Sequence, residues 1–381
     1  MIRCAQFLCL LLCPACFFGS ALAEESPEGR PLVITDAELA ANFKSEYTKG
    51  QTLNVATGGV SVLSPRNFCD FSSLTNLPVV RLYAPDCSLE TIEGIGALKK
   101  LQVLDLSGND IHDLSPLKNL PLISVNIAGN PVSDISPILS PYLKELYLSG
   151  TEVQDLACLT NTSLERLELG TGPVMSSFSA LTKVPLKRLS FLQCPQMQMR
   201  DISSLQLESL RIFFLRQDDL RYLTNMPLKE LDLQEAQIDS LQPLGPMALR
   251  SLTVVSSSLR LLHGIETIPL ETLKLFTPHV WDVWPIRNMA LKELYMFCDD
   301  GDLTSITNIP LHTLGIDKDL AIKNMSLLTK IKTLDFIVWG SKGEGCTAHD
   351  FYEEYGRAKQ EAHQDLGTKK VRTGREMSKD R

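Results

Sequence analysis

A repeated pattern of apolar residues constrains this chain more than any other feature. Residues 101–121 read LQVLDLSGNDIHDLSPLKNLP, with leucine at the first, fourth and sixth places. Thirteen such units recur every 20 to 22 residues; they open at Val79, Leu101, Leu122, Leu143, Leu164, Leu186, Leu207, Leu228, Leu249, Leu270, Leu291, Leu311 and Ile331. All 39 of these places are apolar, from Val79, Leu82 and Ala84 to Ile331, Leu334 and Phe336, although only 44% of the chain is apolar. A fixed period of this length predicts stacked units around one continuous core.

The internal order of a unit predicts its local structure. Around Leu104 and Leu106, alternation predicts a short strand with the fourth and sixth places inward and the third, fifth and seventh outward. About 10 residues then return to the next strand, and Ser115-Pro116 interrupts them, which favours turns and 3-10 segments over α-helices. We therefore expect an α/β solenoid. A curved parallel sheet would line its concave face, and turns or 3-10 segments its convex face.

The template unit resembles a known repeat family. Its run N-x-I-x-D-L-S-P-L-x-x-L resembles internalin-type bacterial leucine-rich repeats, and the matching residues are Asn109, Ile111, Asp113, Leu114, Ser115, Pro116, Leu117 and Leu120. The M-P-L-x-x-L-x-L form at residues 226–233 is similar to repeats of planctomycete- and verrucomicrobia-like secreted and kinase-associated proteins. Residues 348–355, AHDFYEEY, are similar to a closing A-x-x-F-W-x-x-Y segment of those proteins, with Tyr352 in place of the tryptophan.

This resemblance implies a role for the ninth place of each unit. In leucine-rich repeats the side chain at this place is buried and bonds the backbone of the turn that leaves the strand. The residues there are Cys87, Asn109, Asn130, Thr151 and Cys194. From Leu215 onward the place holds Leu215, Ala236, Ser257, Pro278 and Asp299, so we expect less uniform turns in the second half.

The two ends of the chain differ from the repeats. Residues 1–23 combine Arg3, an apolar run and Ala21-Leu22-Ala23, which predicts a cleaved signal peptide and a secreted or periplasmic protein. Lipid anchoring through Cys16 is the alternative. We predict an N-terminal cap at 24–56 with a short helix from Thr35, the solenoid at 57–339, a C-terminal cap at 340–365, and a basic, disordered tail at 366–381.

Composition narrows the classes of partner. The net charge of −8 and the pI of about 5.4 argue against nucleic acid as a partner. No apolar run after residue 23 is long enough to span a membrane. We expect a monomer. Cys69 and Cys87, in neighbouring units, are the pair that a disulfide could join, and the other mature cysteines are expected to be buried thiols.

Catalytic chemistry has little support in the sequence. The motifs of serine hydrolases, P-loop NTPases, zinc proteases, dinucleotide-binding proteins and kinases are all missing. We therefore predict no catalytic residue, no metal site and no cofactor, and classify the protein as a non-enzyme. Two alternatives stay open: an enzyme with a C-terminal site at Cys346 and His349, and an accessory or regulatory protein of a kinase-like or envelope system.

A binding surface has more support. At the seventh, outward-facing place the residues are small in the first half of the array and large and apolar in the second, and Arg211, Lys274 and Tyr295 lie beside them at the fifth place. The predicted stripe comprises Leu192, Phe213, Val255, Phe276 and Phe297. Adjacent exposed aromatics and arginine are typical of interaction sites. We predict a protein partner on the concave face, with a glycan as the alternative. The alternative is that the C-terminal segment covers the stripe or that some of its side chains point inward, and in either case there is no binding site here.

Overall fold

The computed structural model describes residues 32–34, 52–56, 59–63, 71, 74, 78–172, 175, 177–192, 198–280, 282–297, 303–339, 344–353 and 355. These residues form two compact units. The N-terminal unit holds the described residues up to 214 together with 221–232, and the C-terminal unit holds 215–220 and those from 233 onward. The predicted signal peptide, the helix from Thr35 and the basic tail lie outside the described residues, so the domain boundaries stay predictions.

The strands of the N-terminal unit follow the predicted units. They are β1 Leu32–Ile34, β2 Thr52–Ala56, β3 Gly59–Leu63, β4 Val79–Tyr83, β5 Val103–Asp105, β6 Ser124–Asn126, β7 Glu145–Tyr147, β8 Arg166–Leu169, β9 Arg188–Phe191 and β10 Ser209–Phe213. Strands β3 to β10 pair in parallel, each with the next. Strands β1 and β2 add antiparallel pairing at the N-terminal edge, which the sequence did not predict.

The C-terminal unit continues the same pattern. Strand β11, Glu230–Gln234, has residues of both units, and it is followed by β12 Ser251–Val255, β13 Thr272–Phe276, β14 Glu293–Phe297, β15 Thr313–Ile316, β16 Phe336–Trp339 and β17 Glu344–Thr347. Strands β12 to β16 pair in parallel, and β17 pairs antiparallel to β16. The predicted α/β solenoid is therefore confirmed as the fold of the repeats.

The register of the sheet explains why the leucine period is strict. Each fourth-place residue is the register partner of the fourth-place residue on the next strand, as Leu104 is of Val125. Both are at most 1% exposed, so each strand extends one continuous apolar row. A one-residue slip would turn every such side chain to the opposite side of the sheet.

Buried asparagines hold the turns of the first repeats. The Asn109 Oδ1 atom accepts hydrogen bonds from the backbone N–H groups of Cys87 (3.0 Å) and Leu89 (2.9 Å). Its Nδ2 atom donates to the carbonyl oxygens of Ala84 (2.9 Å) and Leu106 (2.7 Å). The predicted role of the ninth place is thus confirmed for this unit, because the side chain satisfies backbone groups that water cannot reach.

The turns of the C-terminal unit differ from those of the first repeats, as expected, and in two repeats the buried polar residue lies one place earlier. Ser256 and Thr277, at the eighth place, are 2% and 1% exposed, whereas Ser257, at the ninth, is exposed. The Ser256 Oγ atom donates to the Ala236 carbonyl (2.6 Å) and accepts from the Leu259 N–H (3.2 Å). The first-half turns use glycine at the eighth place with a positive φ of 68° to 72°, as at Gly108 and Gly150. Ser256 is not among the positive-φ residues, so its turn has a different geometry.

The segments that return between strands are mostly 3-10 turns, as predicted. They are Ile95–Ala97, Ser115–Leu117, Ser136–Ile138, Ala157–Asn161, Ser179–Lys183, Gln217–Tyr222, Gln242–Leu244, Trp284–Ile286 and Leu303–Ile306. An aspartate two residues upstream starts several of them: Asp113, Asp134 and Asp155 each accept the first backbone N–H at 2.8 Å. Short α-helices replace this pattern at α1 Met199–Ile202, α2 Lys318–Lys323 and α3 Met325–Leu328.

Helices α2 and α3 explain an error in the predicted last unit. Phe336, expected in the core, is 51% exposed, while Ile337 is 0% exposed and lies beside Leu314 in the register. The helices lengthen this return segment, so the last strand begins later than a 20-residue period predicts. Leu334 is still buried (8% exposed), but it precedes the strand.

An aromatic cluster follows the last parallel strand. Residues 348–353 are helical, and Phe351 is fully buried, with its ring 5.7 Å from that of Trp339 and 4.9 Å from that of Tyr355. The Lys318 ammonium lies 5.1 Å from the Trp339 ring centroid and 5.0 Å from that of Tyr355. These contacts attach the closing segment to the C-terminal unit through apolar burial and cation–π attraction.

Charged residues at the second place form ion pairs that join adjacent repeats, and we call each carboxylate with its two cations a clasp. The Glu165 carboxylate bonds Lys144 Nζ at 2.9 Å and Lys187 Nζ at 2.7 Å, so it links three repeats of the N-terminal unit. Glu271 links Arg250 and Lys292 in the same way in the C-terminal unit. Hydrogen bonds from Lys187 and Lys144 lower the pKa of Glu165 from 4.5 to about 2.

The Glu165 clasp predicts a small loss of stability in acid. Because the folded pKa is depressed, the clasp contributes above about pH 4.5, and this contribution is lost as pH falls toward 2. Glu165→Gln should lower the free energy of unfolding at neutral pH by at most about 1 kcal/mol, since the carboxylate is largely solvated. Urea unfolding at about pH 7 and about pH 2.5 measures this difference, which should be much smaller at the lower pH. A difference of the same size at both pH values contradicts the assignment.

Candidate functional site

The open face of the sheet is the side opposite the leucine core. Along β13 and β14 the outward residues are half-buried and the inward ones are buried, in strict alternation. This alternation presents the third, fifth and seventh places of each unit to solvent. The outward residues of β12 to β16 therefore determine what the open face of the C-terminal unit can bind.

Two phenyl rings stack on this face. Phe276 of β13 and Phe297 of β14 are register partners on adjacent parallel strands. Their ring centroids are 5.2 Å apart and their planes differ by 8°, which is a stacked arrangement. Both residues are half-buried, so part of each ring remains open to solvent. The stack is a preformed apolar platform, because the sheet register and not a ligand brings the rings together.

A lysine and a tyrosine lie two residues earlier on the same strands. Lys274 and Tyr295 are register partners, and the Lys274 Nζ atom lies 4.9 Å from the Tyr295 ring centroid. Burial raises the pKa of Tyr295, and the nearby Glu293 carboxylate raises it further. The phenol is therefore neutral at physiological pH. We call these four residues, Lys274, Phe276, Tyr295 and Phe297, the β13–β14 patch.

A glycine on the next strand positions the tyrosine ring. Gly315 of β15 is the register partner of Tyr295. A Cβ atom at Gly315 would lie 2.2 Å from Tyr295 Cδ1 and 2.9 Å from both Cε1 and Cγ, so the ring lies against the bare backbone. Glycine inside a strand often marks such a close approach. Sequence reasoning missed Gly315, although it is the only glycine at a fifth place in units 79 to 311, and that was a usable signal.

The Gly315→Ala variant should displace the Tyr295 ring without unfolding the protein. The added methyl group occupies the space of the ring edge, whereas alanine suits a strand better than glycine does. Tyr295 should become more exposed, and its pKa should fall toward that of a free tyrosine. Ring-carbon NMR during a pH titration, with Tyr295→Phe to assign the signal, measures this fall. Thr253→Ala, on the same face, is the control. An unchanged Tyr295 titration contradicts the contact.

One member of the predicted stripe is not available for contact. Val255 of β12 is 5% exposed, although its place in the unit faces outward. It is the register partner of Phe276, and a short branched side chain beside a phenyl ring loses most of its contact with water. The prediction that Val255 contributes exposed surface is therefore wrong.

The other predicted stripe residues belong to the N-terminal unit. Leu192 and Phe213 are half-buried, and Arg211 Nε bonds Asp232 Oδ2 at 2.5 Å. Arg211 therefore has a carboxylate partner within the protein. The structure adds Phe214, which is 45% exposed, has a φ of 61° and lies 6.4 Å from the Phe213 ring. A bulky residue at positive φ is strained, and sequence reasoning missed it because glycine or a polar residue is usual there.

The open face of the N-terminal unit is otherwise polar and internally bonded. Asp105 is 4% exposed and accepts bonds from the Ser107 backbone (2.9 Å) and hydroxyl (2.7 Å). Burial raises the pKa of Asp105, and it raises the pKa of Tyr147 to about 12. The Arg166 guanidinium lies 5.8 Å from the Tyr147 ring. These groups largely satisfy one another, unlike the aromatic patch of the C-terminal unit.

The remaining predicted sites gain little from the structure. Cys346 lies in β17 beside Ile337, and the His349 side chain is 80% exposed and 3.8 Å from Glu353. The Cys346–His349 alternative stays a prediction, and so does the Cys69–Cys87 disulfide, because Cys69 lies outside the described residues. Within the described ranges, no cluster of three His, Cys, Asp or Glu residues has metal-binding geometry. No described helix combines the length and apolarity needed to cross a bilayer.

Comparisons with known proteins agree with this geometry. A family model described as Leucine Rich repeat matches residues 97–114. Among solved structures the chain is similar to internalin InlF of Listeria monocytogenes, at 22% identity over 65% of this chain and 76% of that one, with a TM-score of 0.46. It is also similar to a leucine-rich repeat protein of Leptospira interrogans, at 18% identity over 71% and 80% of the two chains, with a TM-score of 0.43. No curated protein matches the chain significantly.

The register, the buried asparagines and the family match define the class of the repeats. They have the leucine-rich repeat fold, and the family match confirms the predicted repeat family for residues 97–114. A third similar structure is the leucine-rich repeat ectodomain of a plant membrane receptor kinase from Arabidopsis thaliana, at 16% identity over 80% of this chain and 42% of that one, with a TM-score of 0.43.

Proposed function

We propose that this chain is a non-enzymatic binding module that holds a protein partner on the open face of its C-terminal unit. The stacked, half-exposed rings of Phe276 and Phe297 carry the proposal. Two large apolar side chains side by side on the outer surface of a sheet keep apolar area in contact with water, which a partner can remove by covering them. Contiguous exposed apolar surface of this kind usually marks an interaction site.

The composition of the β13–β14 patch supports a protein partner. Aromatic residues at the centre of an interface give most of its binding energy, because burying them removes a large apolar area from water. Stacking on adjacent strands fixes both rings before binding, so little conformational entropy is lost when a partner covers them. Lys274 and Tyr295 add polar groups at one end of the stack, which suits the mixed surface of a folded protein or a peptide.

The proposed site of action is outside the cytoplasm, in a secreted or periplasmic protein. This part of the proposal is supported by residues 1–23, with their basic start, apolar centre and A-x-A end. N-terminal sequencing of the protein recovered from its native source tests it. A mature chain that begins near Glu24 supports export, and one that retains Met1 on a cytoplasmic protein contradicts it.

Site-specific photo-crosslinking tests where the partner binds. A photoreactive phenylalanine analogue at Phe297 should capture a discrete partner band from an extracytoplasmic extract. The same analogue at Trp284, which is 57% exposed but lies in a 3-10 turn off the sheet, is the matched control and should not. Equal capture from both positions, or capture from Trp284 alone, contradicts the proposed face.

A further inference from the structure

The open face of the C-terminal unit carries almost no charge. Among the residues of β12 to β16, one is basic, Lys274, and one is acidic, Glu293. Lys292 of the same unit, by contrast, has a carboxylate partner, because its Nζ atom bonds Glu271 at 2.6 Å. Lys274 forms no ion pair with any carboxylate in the described part of the chain. Its one described contact is the Tyr295 ring, 4.9 Å away.

That contact holds the ammonium without neutralising it. A cation–π interaction supplies no negative charge, and the N–H donors of the ammonium that point away from the ring remain available to a ligand. The ring itself is fixed against the Gly315 backbone. The phenol stays protonated at neutral pH, because burial raises its pKa, and so it supplies no negative charge. The result is a localised positive charge beside an apolar platform.

The spacing along the strand defines what fits both features. Lys274 and Phe276 are two residues apart on β13, which corresponds to about 6.7 Å at the rise of a strand. Residues i and i+2 of an extended peptide have the same spacing and point to the same side. An extended segment lying along β13 therefore places one side chain over the ammonium and the next but one over the phenyl stack.

We propose that the partner presents an extended segment in which an aspartate or glutamate lies two residues from an aromatic side chain. The carboxylate bonds the Lys274 ammonium, and the aromatic ring packs on Phe276 and Phe297. This inference rests on the proposed function and adds the chemistry of the partner to it. Charge complementarity carries it, because Lys274 gives the β13–β14 patch its one charge, and the acidic residue of the same face, Glu293, lies beyond Tyr295 at the end of β14 away from the phenyl stack.

Two synthetic peptides that differ in one charge test the proposal. Acetyl-Asp-Val-Phe-amide and acetyl-Asn-Val-Phe-amide have the same shape, and valine favours an extended chain. NMR titration of the full chain, with labelled Phe and Tyr rings, follows the signals of Tyr295 and Phe297. At low salt the Asp peptide should half-saturate the site at a concentration at least about fivefold lower than the Asn peptide, and added salt should reduce this ratio.

Variants complete the experiment. Lys274→Met should remove the preference for the Asp peptide. Lys292→Met, which removes a lysine that is already paired with Glu271, should retain the preference. Equal affinities for the two peptides, or a preference that persists in Lys274→Met, overturns the inference. So does the lack of any shift with either peptide up to about 10 mM, which corresponds to negligible affinity. Crosslinking of a protein partner at Phe297 despite these results would leave the proposed function in place and reject only the acidic motif.

Discussion

Asn130→Ala is expected to lower the free energy of unfolding of the N-terminal unit by about 3 kcal/mol. Asn130 is 1% exposed. Its Oδ1 atom accepts from the Ile111 N–H at 3.0 Å, and its Nδ2 atom donates to the carbonyls of Leu106 at 2.8 Å and Ile127 at 3.0 Å. Alanine leaves these backbone groups buried without partners, and each such group costs about 1–3 kcal/mol.

Urea unfolding followed by circular dichroism measures this loss. Asn161→Ala is the matched control, because Asn161 is exposed at the end of a 3-10 turn and its removal should change the free energy of unfolding by less than about 0.5 kcal/mol. If Asn130→Ala has the same urea unfolding midpoint as the wild type, the hydrogen bonds of the asparagine side chain are not needed to hold the turns.

Much of the fold was predictable because one physical demand recurs. A parallel sheet in strict register needs an apolar side chain at the fourth and sixth places, so the period of leucines predicts the strands directly. The buried asparagines were predictable from the family resemblance, since the turn after each strand leaves backbone groups that need a partner. Ser115 and Pro116 indicated a 3-10 turn in the same direct way.

The incorrect predictions have a different origin, since they depend on contacts between neighbouring repeats. The last strand was misplaced because helices α2 and α3 lengthen one return segment, and nothing in the apolar pattern of residues 331–337 distinguishes Phe336 from Ile337. Val255 was expected to be exposed because its place in the unit faces outward, but burial there depends on the Phe276 side chain of the next strand. The role of Gly315 likewise depends on Tyr295, 20 residues earlier in the chain.

Phe276→Asp combined with Phe297→Asp should abolish partner binding while the fold is retained. Each ring is half-buried on an outer face, so its replacement opens no cavity in the leucine core. Each central aromatic of an interface contributes about 2 kcal/mol, so the two substitutions together should raise the dissociation constant at least about 100-fold. A carboxylate in place of each ring also leaves an unpaired charge when a partner covers the face.

The matched control carries the same chemical change away from the sheet. Leu261 and Trp284 also lie in the C-terminal unit and are 48% and 57% exposed, but neither is on a strand of the open face. Leu261→Asp with Trp284→Asp should therefore keep wild-type affinity. Circular dichroism and the urea midpoint of both double variants show whether the fold is retained.

The dissociation constant of the crosslinked partner, measured by surface plasmon resonance for the wild type and both double variants, tests the proposed binding face most directly. A loss of at least about 100-fold for the Phe276/Phe297 variant, with unchanged binding for the Leu261/Trp284 variant, is the expected result. Equal affinities for the wild type and the Phe276/Phe297 variant would contradict it.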